Sequence, residues 1–311
     1  SAETNISTTG SYQPNFARIL DAFLVKFNSN GVRLWGTYFG DQETERTNDL
    51  AIDKYDNIYI VGETNSETNI SFNSNFQTQL NKSANPVSPP SDGFIAKFNA
   101  DGGLNWSTYV GGEGTDILSA MVVKNSNLIV GGYTLSENNM ATVGVFQEQQ
   151  NPITVGDGYV AKFTLDGQRA WGSYYGGSSP LENIESVEID DEDNIYIAGQ
   201  TGSNDNIASV GSFEDSNGDL YKGFLAKLDS QGQRIWGTYL GGGLDVYSVV
   251  FQNNSIYIGG GTYYSSFDPK LTNQCSYKPI RNRTFLGYVG KFSKNGNLVW
   301  GTYIGNDTRI K

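Results

Sequence analysis

An all-β fold of repeated four-stranded units is what the sequence predicts, and three observations predict it. One phrase recurs five times, LWGTYFG at 34–40, NWSTYVG at 105–111, AWGSYYG at 170–176, IWGTYLG at 235–241 and VWGTYIG at 299–305, and it holds every tryptophan of the chain: Trp35, Trp106, Trp171, Trp236 and Trp300. Each phrase follows a run of aromatic and β-branched residues that ends in a glycine turn: DAFLVKFNSNG, DGFIAKFNADG, DGYVAKFTLDG, KGFLAKLDSQG and LGYVGKFSKNG. Such pairs of runs read as β-hairpins. The first run of each pair is apolar on both faces, as in Phe94, Ile95, Ala96 and Phe98, which suits a sheet covered on both sides.

The elements follow in a fixed order. We label the hairpin strands C (21–27 in the first copy) and D (33–39). Strand A comes next, in segments such as NDLAIDKYDN and ENIESVEIDDEDN. Strand B is NIYIVGETNS, NLIVGGYTLS, NIYIAGQTGS or SIYIGGGTYY, and a long polar loop then leads to the next C. Four short antiparallel strands per unit, repeated every 64–71 residues, describe the blades of a β-propeller, whereas a solenoid uses shorter repeats.

Composition narrows the function. The chain has 311 residues and a net charge of −12, so phosphate backbones are repelled and nucleic acid is not an expected partner. The absence of histidine removes His-based triads, bases and metal ligands. A single cysteine, Cys275, cannot form an internal disulfide, which fits a reducing compartment or a bacterial exported protein without disulfides. No run approaches the ~20 apolar residues of a membrane-spanning helix, and the opening SAETN shows no signal-peptide pattern.

The run W-G-T-Y-x-G-G … A-I-D-x-x-x-N-I-Y-I-x-G-x-T-x-S … D-G-F-x-A-K-F-x-x-x-G resembles the bacterial SBBP, or seven-bladed β-propeller, repeat, over nearly the whole chain. The resemblance implies exported or cell-surface bacterial proteins, often large and modular, and no single reaction.

The opening SAETNISTTGSYQPN matches the loops that follow strand B at 66–79, 136–149 and 203–216, and the last residues follow a D strand. One domain over 1–311 is expected: a half blade at 1–40 and blades at 41–111, 112–176, 177–241 and 242–311. Five C–D hairpins then stand against four A–B pairs. Closing a ring would take about 20 further residues, because a blade without its inner strands leaves an edge unpaired. The sequence is therefore expected to be an excerpt, or to be completed by a neighbouring segment.

Candidate sites divide into repeated and unrepeated ones. The five tryptophans suit sugar stacking in principle, but their equal placement favours packing between blades. Lys26, Lys97, Lys162, Lys227 and Lys291 recur in strand C and are expected to reach the surface or pair with a carboxylate of their own blade. Asp49, Asp116, Asn183 and Asp245 are read as one position at the start of strand A. With A innermost, as the resemblance implies, they would rim one mouth of the channel as a cation or acid–base site, or else cap the turn after strand D. Asp215, Asn217 and Asp219 alternate around Gly218, a weak Ca²⁺ pattern without the Glu of an EF-hand. The acidic turn 190–194 reads as a plain polar turn. The loop 265–285 departs from the other copies and carries Lys270, Lys278, Arg281 and Arg283 in an acidic chain.

The expectation is a non-catalytic binding or scaffolding propeller of an exported, surface or outer-membrane-associated protein, engaging a protein or glycan through loops on one face, with no cofactor besides that possible Ca²⁺. Two alternatives stand beside it: a structural subunit of a larger envelope or secretion assembly, docked through the basic loop or an open blade edge, and a carbohydrate-active enzyme using channel carboxylates.

Overall fold

A computed structural model describes residues 6–81, 91–151, 156–179, 182–216, 218, 221–263, 268–273 and 285–304. The chain divides into two compact units, Ser1–Met140 with Ala161–Ala170, and Ala141–Val160 with Trp171–Lys311.

The first unit opens on a two-stranded hairpin, β1 (Ala22–Phe27) with β2 (Arg33–Phe39). A four-stranded sheet follows in the order β3 (Glu45–Ile52), β4 (Ile58–Thr64), β5 (Asp92–Phe98), β6 (Leu104–Val110). The next sheet runs β7 (Asp116–Lys124), β8 (Asn127–Thr134), β9 (Asp157–Thr164), β10 (Arg169–Tyr175). The second unit holds two more such sheets. One is β11 (Asn183–Ile189), β12 (Ile195–Thr201), β13 (Lys222–Leu228), β14 (Arg234–Gly242); the other is β15 (Leu244–Gln252), β16 (Ser255–Tyr263), β17 (Phe285–Ser293), β18 (Leu298–Ile304). These are the expected A–B–C–D blades and the expected lone C–D hairpin. No helix among the described residues is long and apolar enough to cross a membrane.

Every residue of β5 is buried, as a strand covered on both faces requires. Phe39, Phe94, Phe98 and Tyr109 anchor one core in the first unit, and Tyr196, Leu225, Leu240, Tyr288 and Phe292 anchor another in the second. The hairpin turns are built by side-chain acceptors. Asn99 Oδ1 takes the N–H groups of Asp101 at 3.0 Å and Gly103 at 2.9 Å, while Gly102 supplies a positive φ of 84°.

The repeated tryptophan is explained by what comes one repeat later. Its indole N–H donates to a carbonyl in the next C–D turn, always at 3.1 Å: Trp35 to Ala100, Trp106 to Leu165, Trp171 to Ser230 and Trp236 to Lys294. The turn glycine lies on the ring, so that a Cβ at Gly102, Gly167, Gly232 or Gly296 would meet it at 2.9–3.0 Å. Within its own hairpin the tryptophan faces the recurrent lysine, as in Lys26 opposite Trp35, Lys97 opposite Trp106, Lys227 opposite Trp236 and Lys291 opposite Trp300. The phrase is a packing part made for each blade.

Strand A begins earlier than its apolar pattern suggests, at Glu45 rather than near residue 48. A bulge interrupts every A strand, between Thr47 and Asp49, Leu118 and Ala120, Ile184 and Ser186, and Val246 and Ser248. Strand B answers it with a glycine: a Cβ on Gly62 would stand 1.8 Å from the Arg46 carbonyl oxygen.

Candidate functional site

The four residues read as one position at the start of strand A occupy three. Asp116 opens β7 opposite Thr134. Asn183 and Asp245 stand one residue further on, opposite Gln200 and Gly261. Asp49 lies beyond the bulge, opposite Val61. The D-to-A connection varies in length and the bulge adds a residue, so equal letters do not mean equal places. The true counterparts of Asp116 are Glu45, opposite Thr64, and Glu182, which Thr201 reaches. Sequence reading passed over both. The signal that finds them is the threonine of the B-strand G-x-T, whose hydroxyl donates to the acid in each case.

These acids meet a second set. In three repeats the residue opening strand C, or preceding it, is also an acid, and the two face each other from adjacent blades. A Cβ on Gly111 would lie 2.4 Å from Asp92 Oδ1 and 2.8 Å from Asp116 Oδ2; one on Gly40 would lie 3.1 Å from Asp21 Oδ1 and 2.3 Å from Glu45 Oε2. Asp157 and Glu182 form the third pair, the Asp157 charge adding to the burial that raises Glu182. A glutamine of the B–C loop holds the C-side acid through Nε2: Gln13 to Asp21 at 2.8 Å, Gln77 to Asp92 at 2.6 Å, Gln147 to Asp157 at 2.9 Å. Its Oε1 accepts from Gly40, Gly111 or Gly176, at 3.0 Å each time. The A-side acid takes the threonine hydroxyl and a backbone N–H, from Asp41 to Glu45 at 2.9 Å and from Gly112 to Asp116 at 2.8 Å.

Burial governs the charge of these pairs. Asp21 Oδ1, Asp92 Oδ1 and Glu182 Oε2 are buried without a hydrogen-bond partner. Burial, with Asp116 adding its charge, pushes the Asp92 carboxyl up to about 8. Burial likewise brings Glu182 to about 7 and Asp116 to about 6, and it raises Asp21 and Glu45. The fourth repeat solves the same problem differently. Lys222 stands where the C-side Asp would, Glu214 where the Gln would, and they pair at 2.6 Å while Glu214 Oε2 still accepts from Gly241. The A-side acid is then replaced by Leu244, opposite Thr262.

The other predicted residues have separate settings. Asp49 Oδ2 accepts from Met121 N–H of the next A strand at 2.7 Å, and Ser186, at the same register, accepts from Val249 N–H; Asp49 thus ties blades together. Asn183 and Asp245 are brought into one polar cluster in the second unit. Asn183 Nδ2 donates to Glu185 Oε1 at 2.6 Å, Tyr247 reaches Asp245 at 3.3 Å, and burial raises both Glu185 and Asp245. Lys26 and Lys97 donate to the Ala100 and Leu165 carbonyls, and Lys227 pairs with Asp190 of its own blade at 3.4 Å. In the acidic turn, burial would raise Asp190, but bonds from Asn194 and Glu192 and the Lys227 charge outweigh it and hold the carboxyl low.

Asp215 caps its loop by accepting from Gly211 N–H at 3.2 Å; Asn217 and Asp219 lie outside the described residues. Among the described residues no three acidic or cysteine side chains gather as a metal site. Lys270 sits exposed in a 3₁₀ turn, Pro269–Leu271, 3.8 Å from Glu214. Lys278, Arg281, Arg283 and Cys275 lie outside the described residues. The loop that departs in sequence still keeps its apolar anchor: Leu271 is fully buried and its carbonyl lies against Gly301, as that of Ile207 lies against Gly237.

An open cleft of about 390 Å³ lies in the first unit. It is walled by residues 12–15 and Ala17, by Gly40 and Asp41, and by Asn69, Ser71 and Phe72. Four of its residues break the repeat. Tyr12 stands where the other loops have Phe76, Phe146 and Phe213; Ala17 where they have Asn81 and Asn151; Asp41 where they have Gly112 and Gly177; and Phe72 where they have Thr8, Thr142 and Ser209.

Residues 34–70 match the SBBP family, described as a beta-propeller repeat. No curated protein matches the sequence. Among solved structures, a Trypanosoma rangeli sialidase in complex with the inhibitor DANA is similar at a TM-score of 0.42 and 9% identity, over 91% of this chain and 41% of the sialidase. The chain therefore spans less than half of that protein's length. Four-stranded antiparallel blades, the recurring W-G-T-Y phrase and the match at 34–70 agree: the chain is built of β-propeller repeats, and residues 34–70 match the SBBP repeat.

Proposed function

We propose that this protein is a non-catalytic binding and scaffolding module, and that it engages its partner through the loops that join strand B to strand C. The observation that carries this reading is the convergence of Tyr12, Ala17, Asp41 and Phe72, four departures from the repeat, on one open cleft. Repetition accounts for the tryptophans, the strand-C lysines and the buried acids; it gives no account of these four. An exported bacterial setting, at the cell surface or on the outer membrane, rests on the resemblance of the repeats. A protein or a glycan is the class of partner that such loops hold.

The test compares the parent with a variant carrying Tyr12→Phe, Ala17→Asn, Asp41→Gly and Phe72→Thr, each the residue the repeat uses elsewhere. Both are screened against glycan and peptide arrays and against a panel of chromogenic glycosides. Binding that the reversion abolishes, without turnover of any glycoside, is expected. Hydrolysis that disappears on changing Glu185 or Asp245 would instead favour a carbohydrate-active enzyme built on that polar cluster.

A further inference from the structure

We propose that the cleft of the first unit is a binding site for neutral carbohydrate; the proposal deepens the binding reading above and rests on it. The fold does not need the side chains that shape the cleft. Phe72 exchanges both backbone hydrogen bonds with Ser107, as Thr142 and Ser209 bond to their own D strands. In those copies the side-chain hydroxyl adds a further bond, Thr142 Oγ1 to the Gly172 carbonyl and Gly237 N–H to Ser209 Oγ. Phe72 gives up that bond, and the residue is 42% exposed. Tyr12 keeps the edge-on ring contact of its counterparts, with Phe98 at 6.2 Å where Phe76 meets Phe163 at 5.5 Å, and adds a phenol. Ala17 keeps the backbone bond to Asp21 but lacks the amide with which Asn81 reaches the Gly111 carbonyl, and this leaves room. Asp41 keeps its N–H on Glu45 and adds a carboxylate that accepts from the Thr68 hydroxyl.

The resulting wall has two aromatic rings, the amides of Asn15 and Asn69, and one carboxylate. Its volume lies at the lower end of small-ligand sites, where apolar surface and a few polar groups together fix a ligand. A sugar ring matches this set: its C–H face stacks on an aromatic ring and its hydroxyls pair with amides and a carboxylate. The ligand is neutral because no Lys or Arg among the described residues lines the cleft, Asp41 opposes an anion, and the chain carries −12. A peptide is a poorer match, because the Phe72 backbone is already paired with Ser107 and offers no free edge for strand addition.

The test is an array of neutral and sialylated oligosaccharides together with random octapeptides, followed by calorimetry with the best glycan. Parent, Phe72→Thr and Ala17→Asn proteins are compared, with Val143→Thr, on an exposed loop of another repeat, as the control. Neutral glycans are expected to bind the parent and the control alike, and both cleft variants are expected to lose at least about tenfold in affinity, the scale of a central aromatic contact. Thermal melts establish that the variants fold; should Phe72→Thr not fold, Ala17→Asn, which only fills the cleft, decides. Binding to peptides or sialylated glycans alone, lost in the cleft variants, overturns the carbohydrate assignment and leaves the binding reading standing. Absence of any ligand, or equal binding by parent and variants, overturns both.

Discussion

Replacing Asp92 with asparagine is expected to stabilise the protein increasingly as pH rises. Asp92 is fully buried, its Oδ2 accepts from Gln77 and from Asn81 N–H, and its Oδ1 has no partner. Burial, with the Asp116 charge behind it, holds the carboxyl at about 8, whereas an aspartic acid in an unfolded chain titrates near 4. Between these values the folded protein keeps a proton that the unfolded chain releases, so the native state binds more protons and stability falls with rising pH. The loss begins near the unfolded value and is complete once pH has passed the folded one. Asparagine keeps the acceptor for Gln77 and Asn81, and its amide nitrogen can donate toward Asp116 Oδ2 without ionising. Each pH unit inside the window is worth about 1.4 kcal/mol, so the gap between variant and parent is expected to widen by roughly 3–4 kcal/mol between pH 5 and pH 8. Denaturant unfolding of both proteins across that range measures it. Parallel stability profiles would refute the reasoning, since they would mean that Asp92 is already ionised and that something other than a proton balances the pair.

The same logic gives three further expectations. Lys222→Met leaves the buried Glu214 carboxylate with only the exposed Lys270, 3.8 Å away, as a cation and is expected to cost about 3 kcal/mol; adding Glu214→Gln should recover most of it, and recovery below half would count against the pair as the cause. Gly232→Ala puts a Cβ 3.0 Å from the Trp171 ring at a φ of +82°, for an expected loss of about 1–3 kcal/mol, while the same change at Gly211, with open space around it, should cost only the backbone part. Glu182→Gln is expected to flatten the pH profile as Asp92→Asn does but over a narrower range, because its carboxyl sits near 7; melting temperatures at pH 5 and pH 8 would show it.

The blades were legible because their signals are local. A lysine faces a tryptophan across one tight hairpin, and the glycine that ends the turn is needed where it lies on a ring. The A-strand site was not legible, because position there is set by register. A connection of variable length and a bulge both separate Asp49 from Asp116, and only the threonine across the strand identifies Glu45 and Glu182 as counterparts. The acid pairs were hidden for a related reason. Asp92 and Asp116 belong to different blades, and neither has a recurring sequence neighbour that announces the other. The basic loop shows the opposite case: its letters depart from the repeat, yet Leu271 takes up the buried place of Ile207, so divergence there did not mean a different structure.

Repetition itself sorts structure from function in this chain. A side chain that recurs in every blade has a partner that also recurs, and the two are used up on each other, as the indole is on the next turn and the glutamine is on the buried acid. The fourth repeat tests this directly. Exchanging Gln and Asp for Glu214 and Lys222, and an acid for Leu244, keeps the hydrogen bond to the following glycine while changing every charge around it. Such compensated exchanges preserve packing and imply no new task. Tyr12, Ala17, Asp41 and Phe72 are exchanges of another kind: each keeps the backbone bond or ring contact that the fold requires, and Tyr12, Ala17 and Phe72 alter what faces the solvent. Change that the backbone does not require, gathered around one cleft, is what selection for a ligand leaves behind.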